Sequence, residues 1–280
     1  MFSLGQAAYL CFGAYSTFIL MQYAGLHLLV ASAVSIFLGG LLAGFVGILT
    51  LKLRRDYFAL MSVGLGQAIP ALIVVFKDYT KGSMGYTRIP KVDPLTLVLL
   101  SAGIMVLILF FIRNFKYSRF GRMNLAQKND EMAAKSFGIN VYQLKIKTYV
   151  LASAIGCLAG ILYALRSRYI DNMFFGWSLS AEMMIFLFFG GTNSLTGSAI
   201  SAFVLKLLPS LLRDVTVFGN SMESYRTIIY CILIIIFLNF RTSGIMGERE
   251  LTLNFLFRNK ADKKPLAYRK TGKRGKATNE

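Results

Sequence analysis

Residues 28–51 read LLVASAVSIFLGGLLAGFVGILTL, an unbroken stretch without a charged side chain that ends against Lys52. An α-helix rises 1.5 Å per residue, so about twenty such residues cover the roughly 30 Å of hydrocarbon in a bilayer. Outward from this stretch, apolar runs near that length occur at 6–24, 57–76, 95–112, 148–165 and 226–240. Two shorter runs, 181–190 and 198–212, flank the break Gly190-Gly191-Thr192-Asn193-Ser194-Leu195-Thr196-Gly197. The expected fold is all-α: a polytopic transmembrane helical bundle of about eight segments, with a discontinuous, Gly-rich segment at the break.

Of the 280 residues 55% are hydrophobic and 16% charged, yet the formal net charge is +18. Those values fit together only if charge is segregated from apolar sequence, which a soluble core of this size could not achieve. A basic chain raises the possibility of nucleic acid, but the charges fall in loops between long apolar runs, so no nucleic-acid partner is expected. The 52–56 turn holds three Lys and Arg, the 113–147 loop eight and the stretch after 240 eleven, against four, two and two in 77–94, 166–180 and 213–226. That imbalance of 22 to 8 predicts a multi-pass protein of a bacterial or archaeal cytoplasmic membrane with both termini in the cytoplasm. From Arg241 the composition turns basic and polar, and 248–280 is expected to be a disordered cytosolic tail beside anionic lipids.

Lipid gives helices no hydrophobic reason to associate, so close packing needs small residues in register. Ala152, Gly156, Gly160 and Ala164 form one such face, and Gly40, Gly44 and Gly47 another. Cys11, Cys157 and Cys231 lie far apart inside apolar runs and read as small hydrophobes. His27 has no second ligand at helical spacing, and no metal or other cofactor is expected. Around Gly191 to Ser198 the spacing is wrong for a phosphate loop and Lys is missing, so the chain has no ATP site of its own. The freed backbone at 190–197 either lines a path or forms a short return loop, and Gln6 and Gln67 either line that path or bond between helices. Glu182 and Lys206 are the obvious intramembrane charges, each within snorkelling reach of the outer interface. With no nucleophile and base or paired carboxylates on one face, the chain is read as a non-enzyme.

The loop 113–147 is long for a compact membrane protein. Asn129 is expected to cap a helix, with Asp130 and Glu131 in its first turn, Lys135 near its end and Gly138 as its left-handed stop. Asn140 with Gln143 resembles a capping box for the following helix. Met132, Ala133 and Phe137 give the short helix an apolar stripe, which needs something to bury it.

The run Asp130-Glu131-Met132-Ala133-Ala134-Lys135-Ser136-Phe137-Gly138-Ile139-Asn140 resembles the E-x-A-A-x-x-x-G-I-N element of permease subunits of branched-chain amino acid ABC importers. Four further stretches resemble the same family in order: Ser3-Leu-Gly-Gln-Ala-Ala with Gly13-Ala-Tyr15, then Leu53-Arg-Arg-Asp-Tyr-Phe-Ala-Leu60 leading to Gly64-x-Gly66-Gln67, then Phe189 to Gly197, and Phe240-Arg-Thr-Ser-Gly244-Ile-Met-Gly247. The last has Thr242 where the family has proline. The resemblance spans about 1–247, read as the permease domain, and points to the M type; urea and short-amide importers share much of the pattern. It implies a further apolar segment before Ser3, on which Met1 nearly falls.

By that resemblance, Glu131, Met132, Ala133, Ala134, Phe137 and Gly138 form a cytoplasmic coupling helix seated on an ABC ATPase. Gln6, Gly13, Tyr15, Gln67, Gly190, Gly191 and Asn193 are candidates for the translocation path. The implied partners are a homologous second permease subunit, two ATPase subunits and an extracytoplasmic solute-binding protein. The rival readings are a passive channel or carrier for a small neutral solute, which would not need the apolar stripe, and a structural membrane subunit with no pathway.

Overall fold

The computed structural model describes residues 3–213, apart from 54, 88 and 193, together with 216–217, 220–221, 232 and 235. Its helices are α1 (Gln6–Ala24), α2 (Leu28–Thr50), α3 (Arg55–Val75), the single turn α4 (Lys77–Thr80), α5 (Pro94–Tyr117), α6 (Arg119–Asn129), α7 (Glu131–Ser136), α8 (Val141–Ser167), α9 (Trp177–Gly190) and α10 (Leu195–Arg213). The one antiparallel strand pair among the described residues joins Thr216–Val217 to Asn220–Ser221. Every apolar run predicted up to residue 212 is helical. The run 226–240 and the basic tail lie outside the described residues.

Helix α2, α3 from Tyr57, α5 and α8 are long and apolar enough to cross a membrane. Helix α1 is different in kind. Its buried residues include Ala7, Ala8, Tyr9, Cys11, Gly13, Ala14, Tyr15, Thr17 and Phe18, which point in every direction around its axis. A helix buried on all sides belongs inside a bundle, and α1 is the centre of this one, packed by α8, α2, α3 and α9. Its polar groups find partners there: the Tyr9 and Tyr149 hydroxyls meet at 3.0 Å, and the Tyr15 hydroxyl donates to the Ile170 carbonyl at 3.1 Å.

Small residues set the approach of α1 and α8. A Cβ on Gly160 would collide with the Leu10 carbonyl, and one on Gly13 with the backbone of Cys157. Gly156 faces Leu10, Gln6 and Tyr9, and Ala164 is fully buried. Ala152, placed on this face by its four-residue spacing, is exposed; Ser153 takes the buried position. The spacing of 3.6 residues per turn makes a strict period of four drift off the contact. Gly40, Gly44 and Gly47 of α2 meet Val150 and Tyr149 of α8, as expected of a contact face.

By contrast, α5 has no buried residue. Pro94 starts it at the first helical position, where its missing N–H costs nothing. At the end of the bundle that carries the α8 C-terminus, Tyr86 and Ile170 exchange backbone hydrogen bonds of 2.9 and 3.0 Å, tying two loops together over α1.

Candidate functional site

Two features outside the core stand out: the α6–α7 region at one end, and a groove beside the α9–α10 hairpin.

Helix α6 was not anticipated. Ser118 caps it, accepting from the Gly121 N–H at 3.2 Å, and Asn129 is its last residue and not the cap of the next helix. That cap is Asp130, whose Oδ1 accepts from the N–H groups of Met132 at 2.8 Å and Ala133 at 3.1 Å. Asparagine and aspartate are near-equivalent caps, so composition alone leaves the register one residue uncertain. The end of α7 matches expectation. Gly138 adopts φ +76. Its N–H bonds the Lys135 carbonyl at 2.9 Å while the Ile139 N–H reaches Ala134 at 3.2 Å, a Schellman closure. Asn140 then caps α8 through Gln143 N–H at 3.2 Å.

The six coupling candidates divide by burial. Ala134 is buried, turned towards the bundle. Glu131 is held from α8: Lys145 Nζ lies 2.8 Å from its Oε2, and Lys135 stands 3.5 Å from Oε1. The hydrogen bond from Lys145 holds the Glu131 carboxyl below the usual carboxylate range. Met132, Ala133 and Phe137 face outward, with Met132 73% and Phe137 86% exposed. Helix α7 is therefore pinned at Glu131 and Ala134 and presents an uncovered apolar face. Nearby, the Tyr142 hydroxyl donates to Ile48 at 2.8 Å and Lys52 lies over the Tyr142 ring, so the end of α2 shares this side.

The groove, about 360 Å³, is lined by Ser3, Gln6, Ser180, Met183, Met184, Phe186, Leu187, Ser198 and Ala202. Among the path candidates it includes Gln6. Gly13 and Tyr15 are packing residues of α1, so they do not line it. Gln67 lies beside Gly176, away from this groove. Gly190 and Gly191 are buried in the turn between α9 and α10, where Gly190 abuts Gly197 and Gly191 takes φ +109. Asn193 lies outside the described residues.

The backbone freed at this turn is satisfied within it: Gly197 N–H donates to Ser194 Oγ at 3.0 Å, and Ser194 N–H to the Gly191 carbonyl at 3.1 Å. Helix α9, 14 residues long, covers only about 21 Å, too short to span a bilayer. Ser180 fixes α9 to the core, its Oγ accepting from the Ala7 N–H at 3.0 Å. Glu182 and Lys206, expected to snorkel separately, form an ion pair of 2.8 Å across the hairpin. Sequence reading did not place Ser3, Ser180 or Ser198 on the path: Ser3 entered only as part of a family-like stretch, and Ser180 and Ser198 showed no more than a hydroxyl inside or beside an apolar run.

A bundle of apolar helices around a central helix, with the charges of the described residues at helix ends or paired, defines a polytopic helical membrane protein. The family model of the branched-chain amino acid transport system permease component matches residues 1–238, and this chain belongs to that family. LivM of Escherichia coli K12, named a high-affinity branched-chain amino acid transport system permease protein, is 26% identical over 246 residues, 75% of this chain and 57% of LivM. The probable LivM of Methanocaldococcus jannaschii is 27% identical, covering 81% of this chain and 70% of its own length. BraD of Pseudomonas aeruginosa is 26% identical over 66% of this chain and 57% of its own. The chain thus spans a little over half the length of the E. coli relative. No solved structure matches it.

Proposed function

We propose that this chain is the membrane-spanning, non-catalytic subunit of an ATP-driven importer of branched-chain amino acids, with both termini in the cytoplasm. It works beside a homologous permease chain and two ATPase subunits, and receives solute from an extracytoplasmic binding protein. The names of its relatives support the substrate class, and the excess of Lys and Arg in 52–56, 113–147 and the stretch after 240 supports the cytoplasmic side for the α7 loop and the termini.

The observation that carries the coupling role is the outward apolar face of α7. A six-residue helix has too few internal hydrogen bonds to persist alone. This one is capped at both ends and tied to α8, so Met132 and Phe137 stay exposed on a firm base. An exposed apolar pair held in this way suits a cleft on another protein. A push on α7 would reach α8 through Glu131 and Lys145, pass to α1 across the glycine contact, and reach the groove through Ala7 and Ser180. ATP-driven closure of the ATPases would then change which side the cavity faces, a population shift between two packings of the bundle.

Met132→Ser with Phe137→Asp tests the reading and leaves the Glu131 anchor intact. In vesicles containing the whole transporter, uptake is expected to fall at least tenfold while the variant inserts normally. Undiminished uptake would refute the docking role, and it is also what a passive channel would give.

A further inference from the structure

We propose that the cleft between α5 and α8 is a binding site for one anionic phospholipid, its phosphate held by Arg166 and Arg168 and an acyl chain lying between the helices. The proposal is independent of what the protein transports. It rests on the shape, lining and charge of a cavity of about 740 Å³, whose lining includes none of the functional candidates.

The lining is graded along the bilayer normal. Pro94, the first residue of α5, and Arg166 and Arg168, at the last turn and cap of α8, stand together at one end. Leu97, Val98 and Leu162 follow inward, and Ser101, seven residues beyond Pro94, lies about 10 Å deeper. A phospholipid has this layout: charge at the interface and hydrocarbon below it. Val98, which lines the cleft, is exposed, so among the described residues the cleft is open on the α5 side.

The arginines are available. Arg166 and Arg168 are the two cations of the loop 166–180, and both stand at this rim. Among the described residues no carboxylate forms an ion pair with either, although Asp93 adjoins the lining residues Val92 and Pro94 and Asp171 follows Arg168 by three residues. The Asp171 carboxylate accepts instead from the Met173 N–H at 3.1 Å. A cation at a helix C-terminus complements the helix dipole, which accounts for Arg166. It does not account for Arg168, which lies beyond the helix in the left-handed conformation, φ +54. That backbone carries the side chain across the mouth of the cleft, where Nη2 donates to the Val92 carbonyl at 3.2 Å. A guanidinium has five N–H donors, so most of those on Arg168 remain for a phosphate.

The test uses the full chain, purified in detergent and titrated with dioleoyl phosphatidylglycerol or dioleoyl phosphatidylcholine, with binding read by native mass spectrometry. Wild type is expected to bind the anionic lipid about tenfold more tightly, and Arg166→Gln with Arg168→Gln to lose most of that preference. Basic residues elsewhere also attract anionic lipid, so position is read separately. A phosphatidylglycerol with a photoreactive acyl chain should crosslink to peptides containing Val98 or Leu162. Ser101→Trp, which fills the cleft and keeps both arginines, should abolish that crosslink and serves if the double variant does not fold. Equal binding of the two lipids, a preference unchanged in the arginine variant, or crosslinks confined to other helices would each overturn the proposal. Inorganic phosphate displacing the lipid at millimolar concentration would show a free-anion site instead, and would overturn it as well.

Discussion

Glycines carry much of the specificity of this bundle at single positions. Gly160 lies on the Leu10 carbonyl, whereas Gly103, in the middle of α5, has no atom within 4 Å of a built Cβ. Both are glycines inside apolar helices, so the same substitution should separate them. Gly160→Val is expected to destabilise the protein by about 3 kcal/mol or more, because backbone cannot move aside as a side chain tip can. Gly103→Val should be neutral or slightly stabilising, since valine is the better helix former. Thermal unfolding of the two variants in the same detergent checks the pair; equal losses would contradict the contact. The spacing of small residues located this face in the sequence. The exposure of Ala152 and the burial of Ser153 did not follow from it, because a four-residue repeat describes a helix only over a few turns.

The Glu131 and Lys145 pair makes a second prediction at this scale. The native carboxyl titrates below its ordinary value, so the bond contributes stability that is present above the unfolded carboxylate pKa and is lost as pH falls through the depressed native one. A carbon-13 titration of the Glu131 carboxyl should give a midpoint below about 4.3, and Lys145→Gln should raise it towards that value. No change on removing Lys145 would mean that the α7 tether lies elsewhere.

Among the elements, α7 shows how little sequence can define a functional surface. Its left-handed stop at Gly138 and the following cap at Asn140 were legible because glycine and asparagine have few other reasons to stand there. The start was misplaced by one residue, since Asn129 and Asp130 can both cap. Helix α6 was missed because its sequence, RFGRMNLAQKN, is too polar to show a core stripe. Asp130→Ala should remove the cap of α7 and cost about 1 kcal/mol locally. Amide exchange at Met132 and Ala133 should speed up while α8 stays protected; unchanged exchange would show that Glu131 and Ala134 hold the helix unaided.

For the whole molecule, the helical segments were readable from composition because a bilayer demands long apolar runs. Their arrangement was not. Nothing in the run 6–24 says that it forms the hub, because the evidence is contact on every side, and its partners come from α2, α3, α8 and α9. The pairing of Glu182 with Lys206 was hidden for the same reason: 24 residues separate them, and a helical turn reaches no farther than four. Each charge alone is costly in a membrane. Glu182→Gln or Lys206→Met is expected to lower the amount of folded, membrane-extracted protein several-fold, and the double variant to recover most of it. A double variant as poor as the singles would mean that the charges have separate partners in the assembled transporter.

The central position of α1 also bears on how the protein is made. The Tyr9 hydroxyl waits for Tyr149, 140 residues later in the chain, and the Ala7 N–H for Ser180 later still. During synthesis the hub must rest beside the insertion machinery or in lipid with its Tyr9 and Tyr15 hydroxyls unanswered, while helices made after it take their places. The axis of the finished bundle is thus made before the helices that enclose it and is completed only after them, and damage near Ser180 can strand a helix made long before it.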